Sequence, residues 1–207
     1  ILAKRTDLAL VEYRLPVLDF LFEYSQFFPI FGPLGVSIFG EVGIHIDLGF
    51  GYDTRGIMEF IDSKESQPEL VVDVFYLTDL DVNGVDVPEL SLFGGIGASA
   101  ELDLLIASAG VTGEVGVRVD MNLHDNDSDG RVRLDELIGN IFTEAVLNND
   151  PVLAPLAIFD FSGKVFAQLS AFLKIDLFFF SFEQTFNITP EITLVDFSFS
   201  FERPPKP

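Results

Sequence analysis

Between residues 36 and 50 the chain reads VSIFGEVGIHIDLGF. Val36, Ile38, Val42, Ile44, Ile46, Leu48 and Phe50 share one parity, while Ser37, Glu41, Gly43, His45, Asp47 and Gly49 fill the other. A hydrophobic period of two is the signature of a strand. At about 3.3 Å per residue this segment would extend roughly 50 Å. It therefore requires a strand that is bent or bulged at Gly40 and Gly43, or one that crosses a large twisted sheet.

The same alternation recurs over 96–104, 115–123 and 165–179. Turn signals separate the runs: GYDTRG (51–56), VNGVD (82–86), SAGVTGE (108–114) and NITPE (187–191). Connections this short make hairpins, so the sheet should be largely antiparallel. Leu134, Leu137, Ile138, Ile141, Phe142, Ala145 and Val146 recur at three and four, a helix stripe that stops at NNDP (148–151). The run LDFLFEYSQFF (18–28) reads equally as helix or strand. The expected fold is mostly β, with long antiparallel strands in a sandwich or coiled sheet and one helix. A single domain is expected over 1–202, and ERPPKP (202–207) suggests a proline-rich linker over 203–207.

Composition narrows the possibilities. Asp and Glu outnumber Lys and Arg by 33 to 12, for a net charge of -21, yet the mean hydropathy is +0.37. The acids must then lie on surfaces. With 23 Phe, four Tyr and no Trp, nearly all aromatic area lacks a polar handle, which predicts a dry, Phe-rich interior. Nucleic acid is excluded as a partner because phosphate binding needs clustered Lys and Arg; cations are the natural partners. The absence of Cys removes disulfides, thiolate catalysis and zinc-thiolate sites. No apolar run approaches the roughly 20 residues of a transmembrane helix.

Five acids crowd into HDNDSDGRVRLDEL (124–137). Read from Asp125, the spacing fits a twelve-residue calcium loop. Asp125, Asp127 and Asp129 stand at ligand positions one, three and five, and Gly130 at the turn. Arg131 offers its carbonyl at seven, Val132 is the apolar residue at eight, and Glu136 stands at twelve. A hard cation with six to eight oxygen ligands needs alternate side chains turned inward and a bidentate carboxylate from the following helix. The acids repel one another until Ca2+ sits between them.

The loop resembles those of EF-hand and dockerin-like proteins, but only over the loop and its exiting helix, because a strand rather than a helix leads in. That departure removes the helix pair that a calcium sensor opens and implies a structural or buffering ion. The pieces 26–56, 86–102 and 110–123, ending in this loop, also resemble segments of very large exported bacterial surface proteins. That resemblance implies an extracellular, calcium-bound structural module and brings no catalytic residues.

A weaker metal candidate is DLDVNGVDVPE (79–89), where Asp79, Asp81, Asn83 and Gly84 mimic the first half of such a loop, but Leu90 stands at the twelfth position. Asn83-Gly84 is also a hairpin signal. His45 and His124 lack a partner His at ligand spacing. Glu101 and Asp103 share a strand face, as solvated strand acids do. No nucleophile and base pair is present, so an enzyme is not expected. The sequons at Asn126 and Asn187 read as coincidental.

The function expected is a calcium-stabilised structural module of a secreted or cell-surface protein, which assembles with neighbouring copies or domains through edge strands at 6–15 and 192–202. The alternative is a carrier that encloses a lipid or other apolar ligand in a Phe-lined interior. Long alternating strands also suit a membrane β-barrel; against it, the sequence shows no aromatic girdles at two interfaces.

Overall fold

A computed structural model describes residues 8–64 and 74–201; the expected linker at 203–207 lies outside them. The fold is mostly β, built as two antiparallel sheets with one main helix. The strands are β1 (Ala9–Arg14), β2 (Leu18–Phe31), β3 (Leu34–Ile46), β4 (Gly49–Asp53), β5 (Phe75–Thr78), β6 (Leu90–Leu104), β7 (Ala107–Leu123), β8 (Arg131–Arg133), β9 (Phe159–Leu177), β10 (Phe180–Asn187) and β11 (Ile192–Ser200). Helix α1 (Arg55–Asp62) follows β4, and α2 (Leu134–Phe142) follows β8 and runs into a π-helical turn at Thr143–Leu147.

The large sheet runs β2, β3, β6, β7, β9 in order. The outer edge of β9 pairs with β10 along one half and with β11 along the other. The small sheet has the order β1, β4, β5, β8. Both terminal strands, β1 and β11, lie at sheet edges, each with one side engaged inside the chain.

The long alternating segment does not bulge at Gly40 or Gly43. The register of β3 is unbroken there against both β2 and β6. Instead the chain changes sheets after Ile46: Asp47 donates its amide to the Glu89 carbonyl and accepts from Arg14 at 2.9 Å, and the residues from Gly49 on join the small sheet. The two-way segment 18–28 is strand, because each of its eleven residues pairs with β3, and pairing overrides local propensity. The turn signal at 108–114 lies inside β7. The actual hairpin turns are Gly32-Pro33, Leu105-Ile106 and Phe178-Phe179, all at one end of the large sheet. Helix α1 arises from a segment with turn residues and no long stripe.

Most Phe residues do not form a dry interior. Across the six-strand width, one face holds the apolar parity and stands exposed: Phe22 is 71 % exposed and Ile96 65 %. The opposite parity carries Ser, Thr, Gly and charged side chains together with Phe27, Phe39, Phe93, Phe166 and Phe172, and is the more buried, with Ser37, Ser99 and Phe166 almost inaccessible. The compact core lies under the small sheet and α2, where Tyr76, Val132, Ala154, Ala157 and Leu123 are buried.

Candidate metal centre

The acidic loop leaves β7 at Leu123 and returns as β8 and α2. Asp125 organises it. Its Oδ1 accepts the amides of Asp127 (3.0 Å) and Ser128 (2.7 Å), and its Oδ2 accepts that of Gly130 (2.6 Å). This reversal demands left-handed backbone at Ser128 (φ 59°) and Gly130 (φ 81°), and only glycine takes the second without strain. Val132 pairs with Leu77, which docks the loop on the small sheet. Glu136 Oε2 accepts the Arg133 amide at 2.8 Å, so the residue that closes the loop also caps α2.

Asp125, Asp127 and Glu136 each offer a carboxylate oxygen, and these oxygens all lie within 4.8 Å of one another. That spacing suits three ligands around one cation, since oxygen ligands about 2.4 Å from a shared ion are at most twice that apart. Burial, helped by Asp127 and Asp125, raises the Glu136 carboxyl to about 7, against the Arg133 amide that favours its charge. The three carboxylates stand close together, with the Arg55 guanidinium near Asp127.

Asp129 is brought to a different partner. Its Oδ2 lies 3.2 Å from Arg55 Nη1 and 3.7 Å from Arg133 Nη2, outside the group of three. Arg131 turns its side chain to Asp53 at 2.9 Å and over the Tyr76 ring at 4.7 Å, so only its backbone can serve the loop. Arg55 also reaches Asp127 at 3.5 Å. Guanidinium groups thus supply part of the positive charge that the loop requires.

Sequence reasoning missed several residues of the site. Asp53, fully buried, anchors Arg131 and Arg133 and accepts the Arg55 amide. Asn126 and Asn140 exchange amide hydrogen bonds at 3.2 and 3.0 Å, which pins the loop to α2 and sequesters the first sequon. Asp79, 5 % exposed, is pushed up to about 7 by burial and by Asp86, Asp125, Asp160 and Glu136. No local spacing links Asp53 and Asp79 to the loop, which meets them through the small sheet and the residue that follows β5.

The weaker candidate at 79–89 does not assemble. Asp81 spends its oxygens on the Asn83 and Val85 amides and the Asn83 side chain in a tight turn, whereas Asp79 faces the first loop. His45 pairs with Asp19 and His124 with Asp160, both at 2.6 Å. Glu101 accepts from Ser37, and Asp103 donates its amide to the Pro33 carbonyl. No family model, curated protein or solved structure matches this chain.

Proposed function

We propose that the chain is a calcium-stabilised structural module of a secreted or cell-surface protein, with Asp125, Asp127 and Glu136 as carboxylate ligands of the ion. The Arg131 carbonyl completes the set, and Asp129 joins it by leaving Arg55. The observation that carries this reading is the convergence of those three carboxylates within 4.8 Å, on a loop whose spacing and positive-φ Gly130 fit an oxygen-ligand cage. A structural role fits the placement: the loop joins the large sheet to the small sheet and α2, and has no second helix pair to open. A loop that repels itself when empty suits a medium that supplies calcium steadily, as outside the cell. Lateral partners in this reading are neighbouring copies or domains that pair along β1 or the β10/β11 edge.

The test is calorimetric titration of the chelator-treated protein with Ca2+ and separately with Mg2+, together with thermal unfolding. Binding of one Ca2+ with a raised midpoint supports the reading. Equal or tighter Mg2+ binding, or no binding of either ion, would overturn it, since Mg2+ demands a tighter octahedral cage.

A further inference from the structure

We propose that the apolar face of the large sheet is seated in the hydrocarbon of a lipid bilayer. This inference does not depend on the calcium reading.

The first argument is charge. Every residue of the apolar parity can be read from the pairing of β2, β3, β6, β7, β9, β10 and β11. Among the described residues of these strands, that parity holds no Asp, Glu, Lys, Arg or His. Tyr24, Gln26 and Gln184 are its only side chains with hydrogen-bonding groups. In a chain of net charge -21, the exclusion of charge from so broad a face matches an uncharged medium. Water would not demand it, and monomeric soluble domains rarely expose apolar patches above a few hundred Å²; larger ones mark protein or membrane contacts. The sheet is inverted: polar groups line its sheltered side and apolar groups its exposed side, the arrangement of a barrel wall in lipid.

Shape selects lipid over a second copy. The polar face is concave, since a cleft of about 540 Å³ is lined from all six strand positions, including Glu23 on β2, Ser37, Ser99, Thr112, Phe172 and Glu183 on β10. The apolar face is therefore convex. Two rigid convex faces meet along a line, whereas fluid acyl chains conform. The curl also brings edge strands β2 and β10 to one cleft.

Dimensions agree. On β3 the apolar parity runs from Leu34 to Ile46, about 40 Å along the strand at 3.3 Å per residue. A barrel-like tilt of about 40° reduces this to roughly 30 Å, the hydrocarbon thickness. Aromatic side chains are spread along this face, from Phe161 and Phe199 through Phe22, Tyr24 and Phe186 to Phe182. All three tight turns lie at one end and carry apolar residues, Leu105 and Phe178 fully exposed among them, while the lobe occupies the other end.

The chain has no native Cys, so single cysteines can be read without background. Val111→Cys, Thr112→Cys, Glu114→Cys, Val115→Cys and Val117→Cys in the 207-residue chain would each carry an environment-sensitive nitrobenzoxadiazole label. The proteins would be reconstituted with phosphatidylcholine vesicles, with or without brominated acyl chains. The expected result is co-flotation with vesicles, with brominated lipid quenching labels at 111, 115 and 117 and sparing those at 112 and 114. Val115→Asp should lower vesicle recovery at least tenfold and Thr112→Asp should not. Circular dichroism and thermal unfolding of the same variants show whether the chain is folded, so failure here is distinguishable from failure of the calcium reading. A protein that does not float overturns the proposal. So does quenching without alternation, and so does shielding of 111, 115 and 117 in lipid-free oligomers that vesicles do not disperse, which would assign the face to a second copy.

Discussion

Arg133 Nη2 donates to Asp53 Oδ2 at 2.7 Å, and both side chains are all but inaccessible, 2 % and 0 % exposed. The same Asp53 oxygen accepts from Arg131 Nη1 at 2.9 Å. One carboxylate at the end of β4 therefore holds both arginines of β8, the strand that closes the acidic loop.

Removing that carboxylate leaves buried guanidinium charge uncompensated, which costs about 3–5 kcal/mol where one partner of a buried pair is deleted. Asp53→Ala should lower stability by an amount of that order in urea unfolding, even with calcium in excess. It should also weaken calcium binding, because Arg133, released from Asp53, competes for the loop carboxylate of Asp129, which it already approaches at 3.7 Å. A loss under about 1 kcal/mol would show that solvent replaces the pair freely.

Glu136→Gln removes one of the three converging carboxylates and keeps the shape of the side chain. Calcium affinity in calorimetric titration should fall at least tenfold, as expected when the closing ligand loses its charge. Asp135→Asn removes the adjacent acid, which is exposed and outside the group of three, and should leave affinity within about twofold, a change that corresponds to about 0.4 kcal/mol. Equal effects of the two substitutions would mean that the loop attracts cations only through its summed charge.

Gly130 joins two constraints. Its φ is 81°, and a Cβ there would lie 2.5 Å from Leu80 Cδ1. Gly130→Ala should destabilise the protein by roughly 1–3 kcal/mol and weaken calcium binding, because the Gly130 amide is one of the three that orient Asp125. Adding Leu80→Ala opens space but leaves the φ strain, so it should restore only part of the loss. Full restoration in thermal unfolding would assign the whole effect to the clash.

What the sequence made legible follows the range of the interactions. Alternation along β3, β6, β7 and β9 shows in neighbouring residues, and so does the spacing from Asp125 to Glu136. Helix α2 is legible from its stripe. Asp53 and Arg55 meet the loop from residues 72 to 80 positions away, with no pattern of their own. The expectation of a Phe-rich interior failed because alternation divides a strand into two faces without saying which one curls inward. Small Ser and Gly side chains settle that: they let the polar face close on itself, with Phe166 filling space over Gly116.

Glu89 gives the sharpest pH dependence. It is 2 % exposed, and burial raises its carboxyl to about 8, with Asp79 and Asp86 adding to the shift against the Leu123 amide that donates to it at 2.6 Å. In the unfolded chain the same group titrates near 4.5. Between these values the folded protein holds a proton that the unfolded chain has released, so stability falls as pH rises through that interval. The calcium-free protein should therefore lose thermal stability progressively from about pH 5 to pH 8. Glu89→Gln keeps a neutral side chain at that position and should flatten the slope. If the wild type and Glu89→Gln show the same pH profile in parallel scans, Glu89 is ionised in the fold and the neighbouring acids carry the dependence instead.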